Sequence, residues 1–296
     1  MDLDGVYPPI ATPFDAGGEV DAGAIRSNIG RWMESGVRGI VALGSNGEAP
    51  LLDEGESDRV IAAARHAVPT GRLLLAGTGR ESTRATMAAS RRAAALGVDA
   101  VLVRTPSYFK PRMTPSALAA HYTAVADAAA VPVILYNYPA VTGVNLTPET
   151  VGRLAGHPNI VGIKETSTDA AQLAAYVDAC RGESFAVLAG SAPGFYAALC
   201  LGARGAILAA ACVVPRACVD LLAAFVRGDH EQARDLQRRM IPIAAAVTSG
   251  YGVAGLKLAM DIAGYQGGAP RRPLEPAPAG AADVLSHALT HLEGYF

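Results

Sequence analysis

Ile160-Val161-Gly162-Ile163-Lys164-Glu165-Thr166 is the stretch from which the chain is best read. Residues 160–163 form a short, continuously apolar run. That pattern belongs to a strand of a parallel sheet covered on both faces, not to the alternation of a half-exposed strand. The run ends abruptly in a lysine, and desolvating an ammonium group is costly. Lys164 therefore marks one of two things. Either the strand leaves the core there and the lysine head reaches water along its stem, or the lysine stands at the mouth of a pocket as an amine able to attack a carbonyl carbon.

Outward from this strand, the same unit recurs. Apolar runs at 5–12, 39–43, 72–76, 99–103, 131–136, 185–189 and 205–209 are each followed by a helical pattern. Asp21 opens the first helix, with Ile25, Ile29, Trp32 and Met33 at a 3.6-residue period. Further helices are expected at 53–68, 82–96, 114–129, from Thr147-Pro148 onward, and at 169–180, 192–201 and 213–227. Eight strand–helix units at intervals of about 20–35 residues point to an α/β fold, a closed (β/α)8 TIM barrel, with an open doubly wound sheet as the alternative. The barrel is expected over 1–228. Residues 229–296 read as a C-terminal helical region, with helices near 230–247, 253–263 and 281–292.

Bulk properties narrow the function classes. Half of the 296 residues are hydrophobic and 18% are charged, which suits a large core. The net charge of −2, with no basic run, gives no reason to expect nucleic acid or an anionic membrane as partner. No apolar stretch has membrane-spanning character. The acidic start Met1-Asp2-Leu3-Asp4-Gly5 lacks a signal-peptide pattern, so a cytoplasmic location is expected. Cys180, Cys200, Cys212 and Cys218 have no C-x-x-C spacing and lie in apolar segments, so buried reduced thiols are expected. The six histidines lack ligand spacing, and no metal is expected.

In a barrel, chemistry gathers at the C-terminal ends of the strands. Those ends carry Thr12, the loop Gly44-Ser45-Asn46-Gly47-Glu48, Thr78, Tyr108, Tyr136, Lys164, Gly190 and the neighbourhood of Ile207. A glycine-flanked Ser-Asn turn offers backbone N–H groups suited to a carboxylate or phosphate. A lysine that forms an iminium must lose its proton, from a reference pKa of about 10.4, and needs hydroxyls nearby to relay protons. Tyr136, Tyr108 and Ser45 are the candidates for that relay. Taken singly, each tyrosine is a rim residue with a wet hydroxyl; the set together with Lys164 points to catalysis.

The motifs G-S-N-G-E (44–48), T-P-x-Y (105–108), I-L-Y-N-x-P (134–139) and G-I-K-E (162–165) occur in order at these strand ends. Together they resemble the pyruvate-dependent Schiff-base lyase and aldolase family, over nearly the whole chain. The resemblance implies a carbon–carbon lyase acting on pyruvate and an aldehyde. Lys164 would form the imine, and Tyr136 would carry protons. Ser45 and the backbone of Ser45-Asn46-Gly47 would hold the pyruvate carboxylate. Tyr108 would reach a neighbouring subunit's site in a homotetramer. The loop from Thr166 to Asp169, with Gly190 and Ile207, would face the rest of the substrate. No metal or organic cofactor is implied.

Departures from the pattern bear on the second substrate. Dihydrodipicolinate synthase usually has G-T-T-G-E where this chain has Gly44 to Glu48. It also places an arginine, which grips the carboxylate of aspartate semialdehyde, where Val141 stands. Losing a bidentate clamp costs on the order of 2 kcal/mol, or roughly thirtyfold. The runs 72–79 and 188–192 look most like 4-hydroxy-2-oxoglutarate aldolase, which releases pyruvate and glyoxylate, and that activity is the expectation. The alternative is 4-hydroxy-tetrahydrodipicolinate synthesis from pyruvate and aspartate semialdehyde. A third reading, of another class, is a non-catalytic barrel that binds a keto acid.

Overall fold

The computed structural model describes residues 1–296. Its strands are β1 (Gly5–Tyr7), β2 (Gly39–Ala42), β3 (Leu73–Gly77), β4 (Ala100–Arg104), β5 (Val133–Asn137), β6 (Ile160–Glu165), β7 (Ala186–Ala189) and β8 (Gly205–Ile207). The helices are α1 (Ala22–Glu34), α2 (Glu54–Ala67), α3 (Thr83–Ala95), α4 (Pro115–Ala128), α5 (Pro139–Thr142), α6 (Pro148–Ala155), α7 (Ala170–Ala179), α8 (Phe195–Cys200), α9 (Pro215–Val226), α10 (His230–Ala245), α11 (Gly252–Ile262) and α12 (Ala281–Thr290). The eight strands belong to one sheet in the order β1-β8-β7-β6-β5-β4-β3-β2. That sequential order, with parallel pairing from β3 through β8, is the topology of the (β/α)8 barrel.

Local chemistry explains where the helices begin. Asp21, Asp53, Ser82, Thr114, Thr147, Asp169 and Asp229 each accept a hydrogen bond from the backbone N–H three residues on. This satisfies donors that the first turn otherwise leaves unpaired. Asp53 and Glu56 cap each other reciprocally. Pro115 and Pro148 take the first helical position, where no N–H is needed.

Contacts divide the chain into two compact units. One comprises Met1–Asp4 and Leu75–Ala206. Its core is the apolar sheet residues Val101, Leu102, Ile134, Leu135, Ile163 and Leu188, all essentially inaccessible to solvent. Helices α3, α4, α6 and α7 pack in succession around them. β6 and β7 approach so closely at Gly162 that a Cβ there would lie 2.6 Å from the Ala186 carbonyl oxygen.

The other unit comprises Gly5–Leu74 and Ile207–Phe296. Here the chain after β1 bridges β2 in parallel, Ile10 N–H donating to Val41 at 2.9 Å and Val41 N–H to Pro8 at 2.9 Å. Trp32 of α1 is buried, donates its indole N–H to the Cys212 carbonyl at 3.1 Å, and stacks on Tyr265 at 5.5 Å. Helices α9, α10, α11 and α12 close this core around Leu221, Met240, Leu256 and Leu285.

Some expected boundaries are corrected. The strand expected to end at 163 runs on through Glu165, because Lys164 and Glu165 pair in register with Tyr136 and Asn137 of β5. The turn after β5 contains a short helix, α5, set by Pro139 at its first position. The helix expected over 192–201 is a 3-10 turn followed by α8, with Pro193 and Gly194 interrupting it. β8 stops at Ile207 and not at 209, because residues 209–212 coil into a 3-10 turn. Cys200 is exposed, contrary to the expectation for all four cysteines. It falls on the outer face of α8 while Ala198 and Leu199 face inward.

Candidate active site

Residue alternation along β5 and β6 divides their polar residues between two faces. Tyr136 and Lys164 are register partners on one face; Asn137 and Glu165 are partners on the other. Lys164 is 5% exposed and Tyr136 4%. The ammonium of Lys164 lies over the Tyr136 ring, 4.3 Å from its centroid. A ring face attracts a desolvated cation and so offsets part of the cost of burying it. Tyr138 stacks on Tyr136 with centroids 6.0 Å apart. Burial, and after it the nearby Tyr136, raises the pKa of the Tyr138 phenol. The sequence reading gave Tyr138 no role.

The opposite face holds a hydrogen-bonded network that the sequence did not reveal. The Asn137 carboxamide donates to Glu165 Oε2 at 2.8 Å, to Asn145 Oδ1 at 2.7 Å and to the Tyr176 hydroxyl at 3.1 Å. Gln172 also donates to Glu165 Oε2, at 3.2 Å, and the Ser167 N–H donates to Glu165 Oε1 at 2.6 Å. The Tyr176 hydroxyl donates to the Leu146 carbonyl at 2.5 Å. Burial first, then the adjoining Glu165 carboxylate, keeps the Tyr176 phenol protonated. The network fixes the ends of β5 and β6 and shapes the loop after Lys164. Its only sequence signal is that Asn137 and Glu165 each follow a candidate catalytic residue directly.

In that loop the Thr166 N–H donates to the Asn137 carbonyl at 3.1 Å. The Thr166 hydroxyl is buried without a hydrogen-bond partner. Gly190 is glycine for a packing reason, since a Cβ there would sit 2.3 Å from Thr166 Oγ1 and 2.8 Å from the Glu165 carbonyl oxygen. A small open cleft lies beside the loop, lined by Glu165, Ser167, Asp169, Leu173 and Ser191 among others, but not by Lys164.

Tyr108 is 79% exposed and meets the edge of Phe109, with centroids 5.0 Å apart. It lies beyond the end of β4. Glu81 holds its loop, accepting the Ser107 and Tyr108 N–H groups at 2.8 and 2.9 Å and pairing with Arg104 at 2.8 Å. Burial opposes ionisation of Glu81, but the two amides and Arg104 outweigh it and hold the carboxyl below its usual range.

The remaining expected residues belong to the unit of Gly5–Leu74 and Ile207–Phe296. Ser45 is exposed at the tip of its loop. The Asn46 carboxamide donates to the Pro9 carbonyl at 3.3 Å, and Thr12 donates its hydroxyl to the Gly47 carbonyl at 2.7 Å. The Gly47 N–H is engaged by the Gly44 carbonyl at 3.1 Å, so Gly47 shapes the turn. Ile207 is fully buried at the end of β8.

Comparison with known proteins is consistent along the chain. The model of the dihydrodipicolinate synthetase family matches residues 2–292. A 4-hydroxy-tetrahydrodipicolinate synthase of Methanospirillum hungatei is 36% identical over 293 residues, which is 98% of this chain and 100% of the relative. One from Xanthomonas axonopodis pv. citri is 45% identical over 217 residues, 73% of this chain and 71% of the relative. Among solved structures, the dihydrodipicolinate synthase of Acinetobacter baumannii, complexed with pyruvate, has a TM-score of 0.94 at 33% identity and full coverage of both chains.

Proposed function

Because the chain belongs to the dihydrodipicolinate synthetase family, whose members are pyruvate-dependent lyases and synthases working through a lysine Schiff base, we propose that Lys164 forms that Schiff base. The observation that carries this reading is the buried Lys164 ammonium over the ring of its register partner Tyr136. The deprotonated amine adds to the keto carbon of pyruvate and water leaves, giving an iminium. That cation withdraws electrons, so the methyl carbon loses a proton to become an enamine. The enamine carbon attacks an aldehyde, or is left behind when the same bond breaks in the reverse direction. Hydrolysis then returns the amine, or, where the aldehyde substrate carries an amino group, that group attacks the imine carbon, closes a ring and displaces the Lys164 amine. Tyr136 carries protons to and from the substrate oxygen, and the Ser45-Asn46 turn receives the keto-acid carboxylate.

For the second substrate, we infer aspartate semialdehyde, and hence 4-hydroxy-tetrahydrodipicolinate synthesis. The names of the relatives support this alternative of the sequence expectation and lend nothing to 4-hydroxy-2-oxoglutarate aldolase. A cation is also present near the turn that lacks the arginine. The missing Cβ of Gly143, just after α5, would lie 3.1 Å from Lys110 Nζ. The Lys110 ammonium thus rests against this turn, where it would serve a substrate carboxylate as a point charge in place of a guanidinium fork.

One observation favours the aldolase as second reading: Val141 of α5 is 64% exposed and offers no charge. Steady-state assays of the two reactions side by side decide between them. The synthase reading expects kcat/KM for condensation with aspartate semialdehyde to exceed that for cleavage of 4-hydroxy-2-oxoglutarate by tenfold or more. The reverse ratio would establish the aldolase.

A further inference from the structure

The loop that bears Ser45 and Asn46 ends in a carboxylate for which the proposed reaction has no use. Glu48 has left-handed backbone, φ 55°, and Leu43 at the other end of the loop has φ 56°. These are the only non-glycine residues in the chain with positive φ. Left-handed backbone is uncommon for such side chains and persists where the surroundings over-determine it.

What over-determines Glu48 comes from more than two hundred positions further along the chain. Glu48 Oε1 lies 2.6 Å from Lys257 Nζ of α11, and neither side chain has any solvent exposure. Glu48 Oε2 accepts the backbone N–H of Arg271 at 2.7 Å. Lys257 also donates to the Ala269 carbonyl at 2.8 Å, and its ammonium lies 4.4 Å from the centroid of the Phe14 ring. The Arg271 guanidinium lies 4.2 Å from the same ring centroid. It bonds Glu56 Oε2 at 2.7 Å, the Leu51 carbonyl at 3.2 Å and the Gly18 carbonyl at 2.5 Å.

A buried ion pair of this kind is weak evidence for stability, because apolar residues of similar volume often do as well. It does two things that an apolar pair would not. It pins the loop by a charge-assisted contact at its strained end. It also neutralises a carboxylate that would otherwise repel an anionic substrate arriving at the same loop. Burial lowers the pKa of the Lys257 amine, and Glu48 opposes that by favouring the charged form.

We propose that Lys257 and Arg271 are positioning residues which, through Glu48, set the geometry and charge with which the loop at 44–48 receives the carboxylate of the keto acid. This rests on the reading of that loop as the carboxylate-binding element. The two residues touch no reacting atom. Their effect is on the concentration of pyruvate needed to form the imine, not on the chemistry that follows.

The test is borohydride trapping of the full-length protein over a range of pyruvate concentrations, comparing wild type, Lys257→Met, Glu48→Gln and Arg271→Ala. Lys257→Met, which leaves the Glu48 anion unpaired, is expected to raise the half-saturating pyruvate concentration tenfold or more. Its maximal trapping rate is expected to stay within threefold of wild type. Glu48→Gln and Arg271→Ala are expected to raise half-saturation at least threefold. A purely structural role would lower the yield of folded protein and leave half-saturation unchanged, and that result in any folded variant overturns the proposal. Should Lys257→Met fail to fold, Arg271→Ala and hydrogen–deuterium exchange on wild type decide. Pyruvate is expected to slow exchange at 44–48 and at 266–272 together; slowing at 44–48 alone overturns the proposal. Wild type that traps no pyruvate would instead bring down the reading of the site, and this inference with it.

Discussion

Lys164 Nζ sits 4.3 Å from the centroid of the Tyr136 ring, the residue opposite it in the neighbouring strand. In this arrangement the ring face lies under the lysine head, and under the proposed function the hydroxyl of the same residue would be the proton carrier. The two roles separate by mutation. Tyr136→Phe keeps the ring, so imine trapping should stay within about tenfold of wild type, whereas turnover should fall by about 100-fold or more, the usual scale of a lost general acid–base. Parallel losses in both would show that the hydroxyl is not acting after imine formation.

Glu165 accepts hydrogen bonds from Asn137, Gln172 and the Ser167 N–H at 1% exposure. Glu165→Leu strands these donors and should cost about 3 kcal/mol of unfolding free energy, read by urea denaturation. Glu165→Gln retains acceptor capacity and should cost less. Equal stability of Glu165→Leu and wild type would remove the network from its structural role.

The Cβ of Gly190→Ala would displace the Thr166 hydroxyl and the Glu165 carbonyl. A loss of about 2 kcal/mol is expected from such overpacking. Nicking near 166–169 by a protease of broad specificity such as subtilisin should also become faster, because the loop must shift.

His121 is 6% exposed, and burial pushes its imidazole pKa down to about 4, with Glu81 opposing. The unfolded chain therefore takes up a proton near 6.5 that the folded chain refuses until about 4. The stability this contributes is present above 6.5 and is lost as pH falls toward 4, by up to about 3 kcal/mol. His121→Gln should flatten the fall in denaturation midpoint between pH 7.5 and 4.5. An unchanged slope would assign that acid sensitivity to other groups.

Lys110→Met tests the cation beside Gly143. The KM for a carboxylate-bearing aldehyde should rise about tenfold, the scale of one charge-assisted contact, while pyruvate trapping is unchanged. An unaltered aldehyde KM would leave carboxylate recognition to other residues.

The barrel was legible because its parallel strands are covered on both faces and so read as unbroken apolar runs, each followed by a capped helix. Lys164 stood out for the same reason, as a charge ending such a run. Tyr136 was legible because β5 ends one residue after it. The Glu165 network was not legible, since its partners Asn137, Asn145, Gln172 and Tyr176 are scattered over forty positions and meet only through strand register and the packing of α7. Nor was the Glu48–Lys257 pair, because nothing in a sequence of scattered lysines tells which one the fold buries. The end of β6 was misjudged because a lysine and a glutamate read as the close of a strand, whereas each finds a cross-strand partner.

Mass spectrometry of the intact protein after incubation with pyruvate and borohydride tests the central claim most directly. The expected result is one reduced pyruvate adduct per chain, located by peptide mapping on Lys164 and absent from Lys164→Ala. No adduct on wild type, or an adduct that persists in Lys164→Ala, would contradict the Schiff-base role of Lys164.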